Sequence, residues 1–511
     1  MTGAGSNGFG PDLAEVLDDP LAHPAPNGST PSSTARAPSG VEKLSRLVEE
    51  LTSSGELELF HDRDKVAYAS VRVAPSGSAG VDTYPLNASG FGKWLRNRAR
   101  DRFTGGVVSR DLLAGIIDSL ESRAIHDEEE RPVSIRVASH EGAVYLDLGD
   151  DRRSVVEVRA DGWRVLAGTP PVRFIRPKGM GPLPLPEPGG SLDPLLDLVH
   201  IEPDDRPLVV AWLLSAFRED GAQPVLVLHG EQGSGKSTGA KVLRSLVDPC
   251  KLPVRAAPRS ERDLIVAARG SRVLAFDNLS GVEPWFSDAL CRLADGTGWG
   301  TRALYSDDDE TVFSEPRTIL LNGIDAAPGR ADLLDRAFLV ELPRLEDGAG
   351  KAEREVLCEA DRLRPGALGR LLDAVAAGLR NEHPFEGRAD VRNRELLEFI
   401  APAERVLGLD PGTFARALQA ARGAAARATI DASDLAQAVT KLPLPWTGST
   451  TELLEAINKV APGSKLPANA TSLGRQLTRY IPALRASGIE VDRPGKRQGQ
   501  RVWRFSAPAR P

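Results

Sequence analysis

The sequence predicts an α/β protein with a parallel-sheet core at 195–345. A smaller α+β unit precedes the core, and a helical region and a compact C-terminal module follow it. Three observations predict this. Through 195–345, short apolar runs alternate with helix-period segments, as strands joined by crossover helices do. Strand and helix signals mix through 41–180. Pro- and Gly-rich stretches at 178–194 and 443–449 read as connectors between units.

The elements follow in order. Residues 1–40, with "PAPNGSTPSSTARAPSG", hold too little apolar surface to order and read as a tail. Leu44, Leu47, Val48 and Leu51 fall at helical spacing and open the 41–180 unit. In that unit "KVAYASVRV", "GAVYLDLG", "SVVEVRA" and "GWRVLAG" alternate like strands. "GFGKWLRNRARDRF" and "SRDLLAGIIDSLESRAI" read as helices. Residues 346–442 are helical, and 447–511 form the separate C-terminal module.

Composition narrows the class. With 41% hydrophobic and 26% charged residues the chain matches soluble globular proteins. No apolar run is long enough to span a bilayer, and "PLVVAWLLSAF" fits a buried helix. The N-terminus lacks the basic and apolar regions of an export signal. Cys250, Cys291 and Cys358 lie too far apart for a local metal cluster and fit a reduced, cytoplasmic protein. A net charge of −7 argues against general nucleic-acid adhesion, but not against local basic patches. Arginine outnumbers lysine 52 to 12, so any single Arg carries little weight.

The sharpest motif is "VLVLHGEQGSGKST" at 225–238. Gly230, Gly233, Ser234, Gly235, Lys236, Ser237 and Thr238 fit G-x4-G-K-[ST], with an apolar strand before and an amphipathic helix after. Glycines let backbone N–H groups curl round a phosphate, and the helix N-terminus adds positive charge. Lys236 then reaches the β/γ oxygens of ATP, and Ser237 ligates Mg²⁺. "SRVLAFDNLS" ends a buried strand on Asp277, a partner for the metal's water shell. Asn278 stands where many such ATPases carry an acidic base, leaving Glu283 as a possible substitute. "RTILLNGID" ends a further strand on Asn322, which can orient an attacking water. Arg336, 14 residues later, lies before another strand. It fits an arginine finger acting on a neighbour, with Arg330 as the alternative and a surface ion pair as the plain one.

In order, the phosphate loop, "FDN", "LADGTGWGTRALYSDDDETVF", "LLNGI" and "DLLDR" resemble the ATPase core of superfamily 3 helicases. The branch is that of phage- and plasmid-borne primase-helicases within the AAA+ class. The resemblance covers roughly 195–345 well and the helices after it loosely. It implies a hexameric ring, ATP between subunits, and a channel hairpin at 302–313 for single-stranded DNA. That hairpin's turn is acidic, with Asp307, Asp308, Asp309 and Glu310, which repels phosphate. Direct DNA contact there would fall to Arg302 and its neighbours.

The C-terminal module reads as helix, helix and two-stranded ribbon, the order of a winged helix. Residues 472–504 hold eight basic residues against two acidic ones. Arg475 and Arg479 share a helix face, and Lys496, Arg497 and Arg501 fall on the ribbon, so these five are the candidate contacts to duplex DNA. A solvated charged face is the plainer alternative. Asp147 and Asp150 could suit a two-metal polymerase site, but a strand ending in a tight turn explains them better.

These readings converge on an ATP-dependent, DNA-associated motor serving a phage or mobile element. Rivals are an ATP-binding switch that organises a nucleoprotein or defence assembly without unwinding, and a small-molecule kinase. Strand separation, ATP-dependent assembly alone, or phosphotransfer would tell them apart.

Overall fold

The structure is a computed structural model describing residues 39–73, 80–103, 108–302, 310–323, 331–345, 350–380, 391–493, 495–497 and 500–507. The 1–40 tail up to residue 38, Arg330, and the Asp307–Asp309 turn lie outside the described residues. So do the side chains of Arg302, Glu310, Lys496, Arg497 and Arg501. Among the described residues no helix is long and apolar enough to cross a membrane.

The core is a four-stranded parallel sheet in the order Val273–Phe276, Thr318–Asn322, Val225–His229, Ala337–Glu341. The apolar runs are continuous because helices cover both faces, so nearly every strand residue is buried. Helix Arg206–Ser215 is buried along its length, and the Trp212 indole donates to the carbonyl of Ile319 (2.9 Å). A crossover order puts the tips of three strands, Asp277, Asn322 and His229, at one end of the sheet.

Residues 41–180 divide into two packing groups. Helices Gly40–Ser53, Ser89–Arg102 and Arg110–His126 pack on a three-stranded antiparallel sheet with its own core, including Leu44, Phe91 and Leu95. The second group is a four-stranded antiparallel sheet spanning 137–165. Its Val144, Leu146 and Val156 join the same apolar cluster as the parallel core. The Trp163 indole donates to Asp373 on helix Glu353–Arg380 (2.8 Å).

The 178–194 stretch is not a loose tether. Leu183 and Leu192 are buried, and Glu187 N–H donates to Pro365 O (2.9 Å) within helix Glu353–Arg380. A Cβ at Gly369 would lie 1.8 Å from Glu187 O, so only glycine allows the helix and this segment to approach so closely.

In the C-terminal module, Trp446–Ser449 and Glu490–Asp492 both pair antiparallel with Gln500–Ser506. Helices Thr450–Val460 and Ala470–Ala486 pack on this sheet through Leu453, Ile457, Leu473 and Leu477. Helix Asp434–Thr440, which the sequence places in the helical region, belongs to the same apolar cluster, as do Ala426 and Ile430. Residues 443–449 therefore contribute a strand as well as a connection.

Candidate nucleotide-binding site

The glycine-rich loop joins strand Val225–His229 to helix Lys236–Ser245. Gly230 has φ +140°, and a Cβ there would sit 2.4 Å from Leu342 O, so the chain can leave the strand here only as glycine. Gly233 and Gly235 also take positive φ and turn the chain into the helix. The first-turn N–H groups of Lys236–Ser245 have no partner within their own helix and point along its axis into the loop.

Lys236 is held by the loop itself. Its ammonium donates to Gly230 O (2.8 Å), Glu231 O (2.5 Å) and Ser234 Oγ (3.0 Å). The residue is buried, and desolvation pulls its pKa below the usual lysine range, opposed by the charge of Asp277. Next to it, Ser237 Oγ donates to Asp277 Oδ1 (2.9 Å). The Asn322 side-chain amide donates to the same Asp277 oxygen (2.6 Å) and to Ser237 Oγ (3.3 Å). Three residues 40 to 85 positions apart thus meet at one point.

The donor set suits nucleotide phosphates and a divalent cation. It offers orphan N–H groups, a buried ammonium, and a hydroxyl beside a carboxylate. Lys236, Ser237 and Asp277 are the residues that would hold them. Among the described residues no cluster of three His, Cys, Asp or Glu side chains forms a protein-only metal site.

Other expected residues stand elsewhere. Thr238 turns out of the loop, and its hydroxyl donates to Glu353 (3.3 Å), which also pairs with Lys241 (2.7 Å). Asn278 is exposed with φ +57°, a conformation Asn tolerates better than most residues. Its N–H donates to Asp277 Oδ1 (2.8 Å). Glu283 accepts from the Trp285 indole (2.7 Å). Arg336 is clamped by Asp295 through both Nε and Nη2 and donates to Asp332 O. It lies at the far end of the sheet, where its own carbonyl accepts from Val225 N (2.9 Å).

Asp147 is fully buried and held by Arg176, with Gly149 N–H donating to it (3.0 Å), and Asp150 accepts from Ser154 (2.8 Å). These two carboxylates close turns. The expected 302–313 hairpin exists as antiparallel strands Trp299–Arg302 and Glu310–Phe313.

In the C-terminal module Arg475 and Arg479 are both exposed on helix Ala470–Ala486. Arg479 also lines a cavity of about 90 Å³ with Asp332 and Asp335 of the core. Among the described residues, Arg485 and Arg493 serve the module's own structure. Arg485 donates to Val491 O (2.6 Å), and the Arg493 guanidinium lies over the Trp503 ring (4.3 Å).

Sequence reasoning missed the Glu353 contacts and the pairing of Arg344 with Glu231 of the loop (3.6 Å). Both join residues more than a hundred positions apart, so no local pattern announces them.

Residues 192–425 match the family described as actinomycete integrative conjugative element replication protein, and residues 435–510 match the AICE RepA C-terminal domain. A comparison with curated proteins finds no match. Solved structures of the apo NrS-1 C terminal region are similar. One A form has 12% identity, covering 90% of this chain and 98% of that one, with a TM-score of 0.38. A second A form has 11% identity, the same coverage and a TM-score of 0.40. A third apo structure has 11% identity, covers 91% and 100%, and has a TM-score of 0.37. The two family matches together span more than half of the chain, and the protein belongs to the replication proteins of mobile elements, as described for actinomycete integrative conjugative elements.

Proposed function

We propose that this replication protein is an ATP-dependent DNA motor of the superfamily 3 type, working as a homo-oligomeric, hexameric ring of AAA+ subunits. The observation that carries the reading is the hydrogen-bonded set of Ser237, Asp277 and Asn322 beneath a loop that holds Lys236. In this reading Lys236 and the loop N–H groups bind the phosphates of ATP. Ser237 and Asp277 hold Mg²⁺, whose role is to neutralise phosphate charge. Asn322 orients the water that attacks the γ-phosphate. The 302–313 hairpin faces single-stranded DNA in the ring channel, and the C-terminal module acts as a winged helix on duplex DNA. The sheet order, with the loop strand between the Asn322 and Ala337–Glu341 strands, supports the AAA+ assignment.

A second reading has specific support. Asn278 replaces an acidic base, and Arg336 is held by Asp295 rather than extended. Both favour a switch that binds ATP to organise a nucleoprotein assembly without unwinding. ATPase rate with and without single-stranded DNA, measured beside native mass, separates the two. A motor hydrolyses faster on DNA and assembles into rings. A switch assembles with ATP and shows no stimulation. A monomer with neither property refutes both.

A further inference from the structure

A cationic surface outside both family matches lies on helix Ser89–Arg102, which carries Lys93, Arg96, Arg98, Arg100 and Arg102 against Asp101. Phe91, Leu95 and Ala99, four residues apart, bury one face. That geometry exposes Lys93, Arg96, Asn97 and Arg100 along the opposite face at i, i+3, i+4 and i+7.

The basic residues divide by what they touch. Arg98 pairs with Glu56 (3.7 Å) and lies over the Trp94 ring (5.7 Å), and Arg102 pairs with Glu50 (3.1 Å), so both already face a carboxylate from another part of their own unit. Arg100 pairs only with its neighbour Asp101 (3.3 Å), at side-chain exposures of 74% and 53%, where water and salt leave little binding energy. Lys93 and Arg96 have no ion-pair partner among the described residues.

The stripe from Lys93 to Arg100 runs about 10 Å along the helix. A DNA duplex presents a negative charge about every 1.7 Å of its axis, so three cations on that length face a dense row of phosphates. Single strands are bound largely by stacking on open aromatic faces. Here Trp94 is half-buried, stacked on Phe91 (5.9 Å) and flanked by Arg98, and offers no such platform.

We propose that the Lys93–Arg96–Arg100 face binds the phosphate backbone of duplex DNA without reading its sequence. It gives the N-terminal unit a second anchoring surface, distinct from the C-terminal module. The inference does not rest on the nucleotide reading.

The test uses the full chain with Lys93, Arg96 and Arg100 all changed to Gln, which keeps helix propensity high. Binding to a labelled duplex of arbitrary sequence is followed by anisotropy across a salt series. Each lost phosphate contact flattens the log K against log[salt] slope by about 0.9, so the triple variant's slope drops by about 2 to 3. Two unrelated duplex sequences lose affinity equally. If the triple variant misfolds by circular dichroism, Lys93→Gln/Arg96→Gln is used, with an expected drop of about 2. A folded variant with the wild-type slope overturns the proposal. So does a slope change seen with single-stranded DNA and not with duplex.

Discussion

Lys236 is buried among three oxygens of its own loop, with its charge disfavoured by desolvation and favoured by Asp277. On the proposed reading, the ammonium exchanges these loop oxygens for phosphate oxygens when nucleotide binds. Lys236→Ala is expected to lower ATP turnover about a hundredfold or more, as removal of one transition-state donor does elsewhere. Phosphate release checks this, and wild-type turnover would refute the site. The loop lies at the end of the sheet, so the variant's unfolding temperature stays near that of wild type. Burial also sets cysteine chemistry. It pushes the Cys291 thiol up to about 11, while Cys358 is exposed. Only the thiolate is a strong nucleophile, so Cys291 stays protonated and inert at pH 8. Iodoacetamide followed by peptide mass spectrometry is expected to find Cys358 modified in the native protein and Cys291 modified only after unfolding. Equal modification of both would contradict this environment.

Asp248 follows helix Lys236–Ser245 and joins three elements. It accepts from Arg136 Nε (3.4 Å), Arg244 Nη2 (3.5 Å), and the N–H groups of Arg272 and Val273 (both 3.0 Å). Arg136, fully buried, also donates to Asp147 O, Gly181 O and Pro249 O, so it fastens the 137–165 sheet to the core. Removing Arg136 takes one of two guanidinium partners from Asp248 and leaves the three carbonyls without this donor, and at about 1–3 kcal/mol per unsatisfied buried group the sum reaches about 3–5 kcal/mol. Arg136→Met is expected to lose stability on that scale in urea unfolding, although nothing near the phosphate loop changes. A loss below about 1 kcal/mol would mean that the remaining donors satisfy Asp248 without Arg136.

At the scale of the molecule, Arg336 and the phosphate loop stand at opposite ends of strands that run in parallel. Arg336 O meets Val225 at the start of the loop strand, and the loop follows His229 at its end, about 13 Å away by strand rise. On the ring reading, Arg336 serves a neighbour's nucleotide after leaving Asp295. Hydrolysis per subunit is then expected to rise with protein concentration as rings form. Arg336→Ala should keep nucleotide affinity and turn over at least tenfold more slowly. Mixing it with Lys236→Ala should restore part of the activity, because some interfaces pair an intact loop with an intact arginine. Hydrolysis independent of concentration, with no rescue on mixing, would identify a site complete within one chain and favour the switch.

The sequence by itself determined the glycine-rich loop between strand and helix, the strand-tip residues Asp277 and Asn322, and the parallel core. Each rests on local pattern: glycine spacing, or apolar runs long enough for a two-sided strand. It also determined the helix–helix–ribbon order of the C-terminal module, because amphipathic spacing and alternation are short-range signals. Tertiary structure decided the rest. The 137–165 strands read like the rest of the α+β unit, yet pack against the core through Val144, Leu146 and Val156, with Arg136 reaching Asp248, 112 positions away. The Pro/Gly stretch at 178–194 reads as a tether, but Gly369 lets a helix close on it. Arg336 reads as a candidate finger, and its pairing depends on Asp295, 41 positions earlier and in another element. Periodicity records which side of an element is apolar; it does not record which distant side chain will meet a buried charge, and that choice is made only when the elements pack.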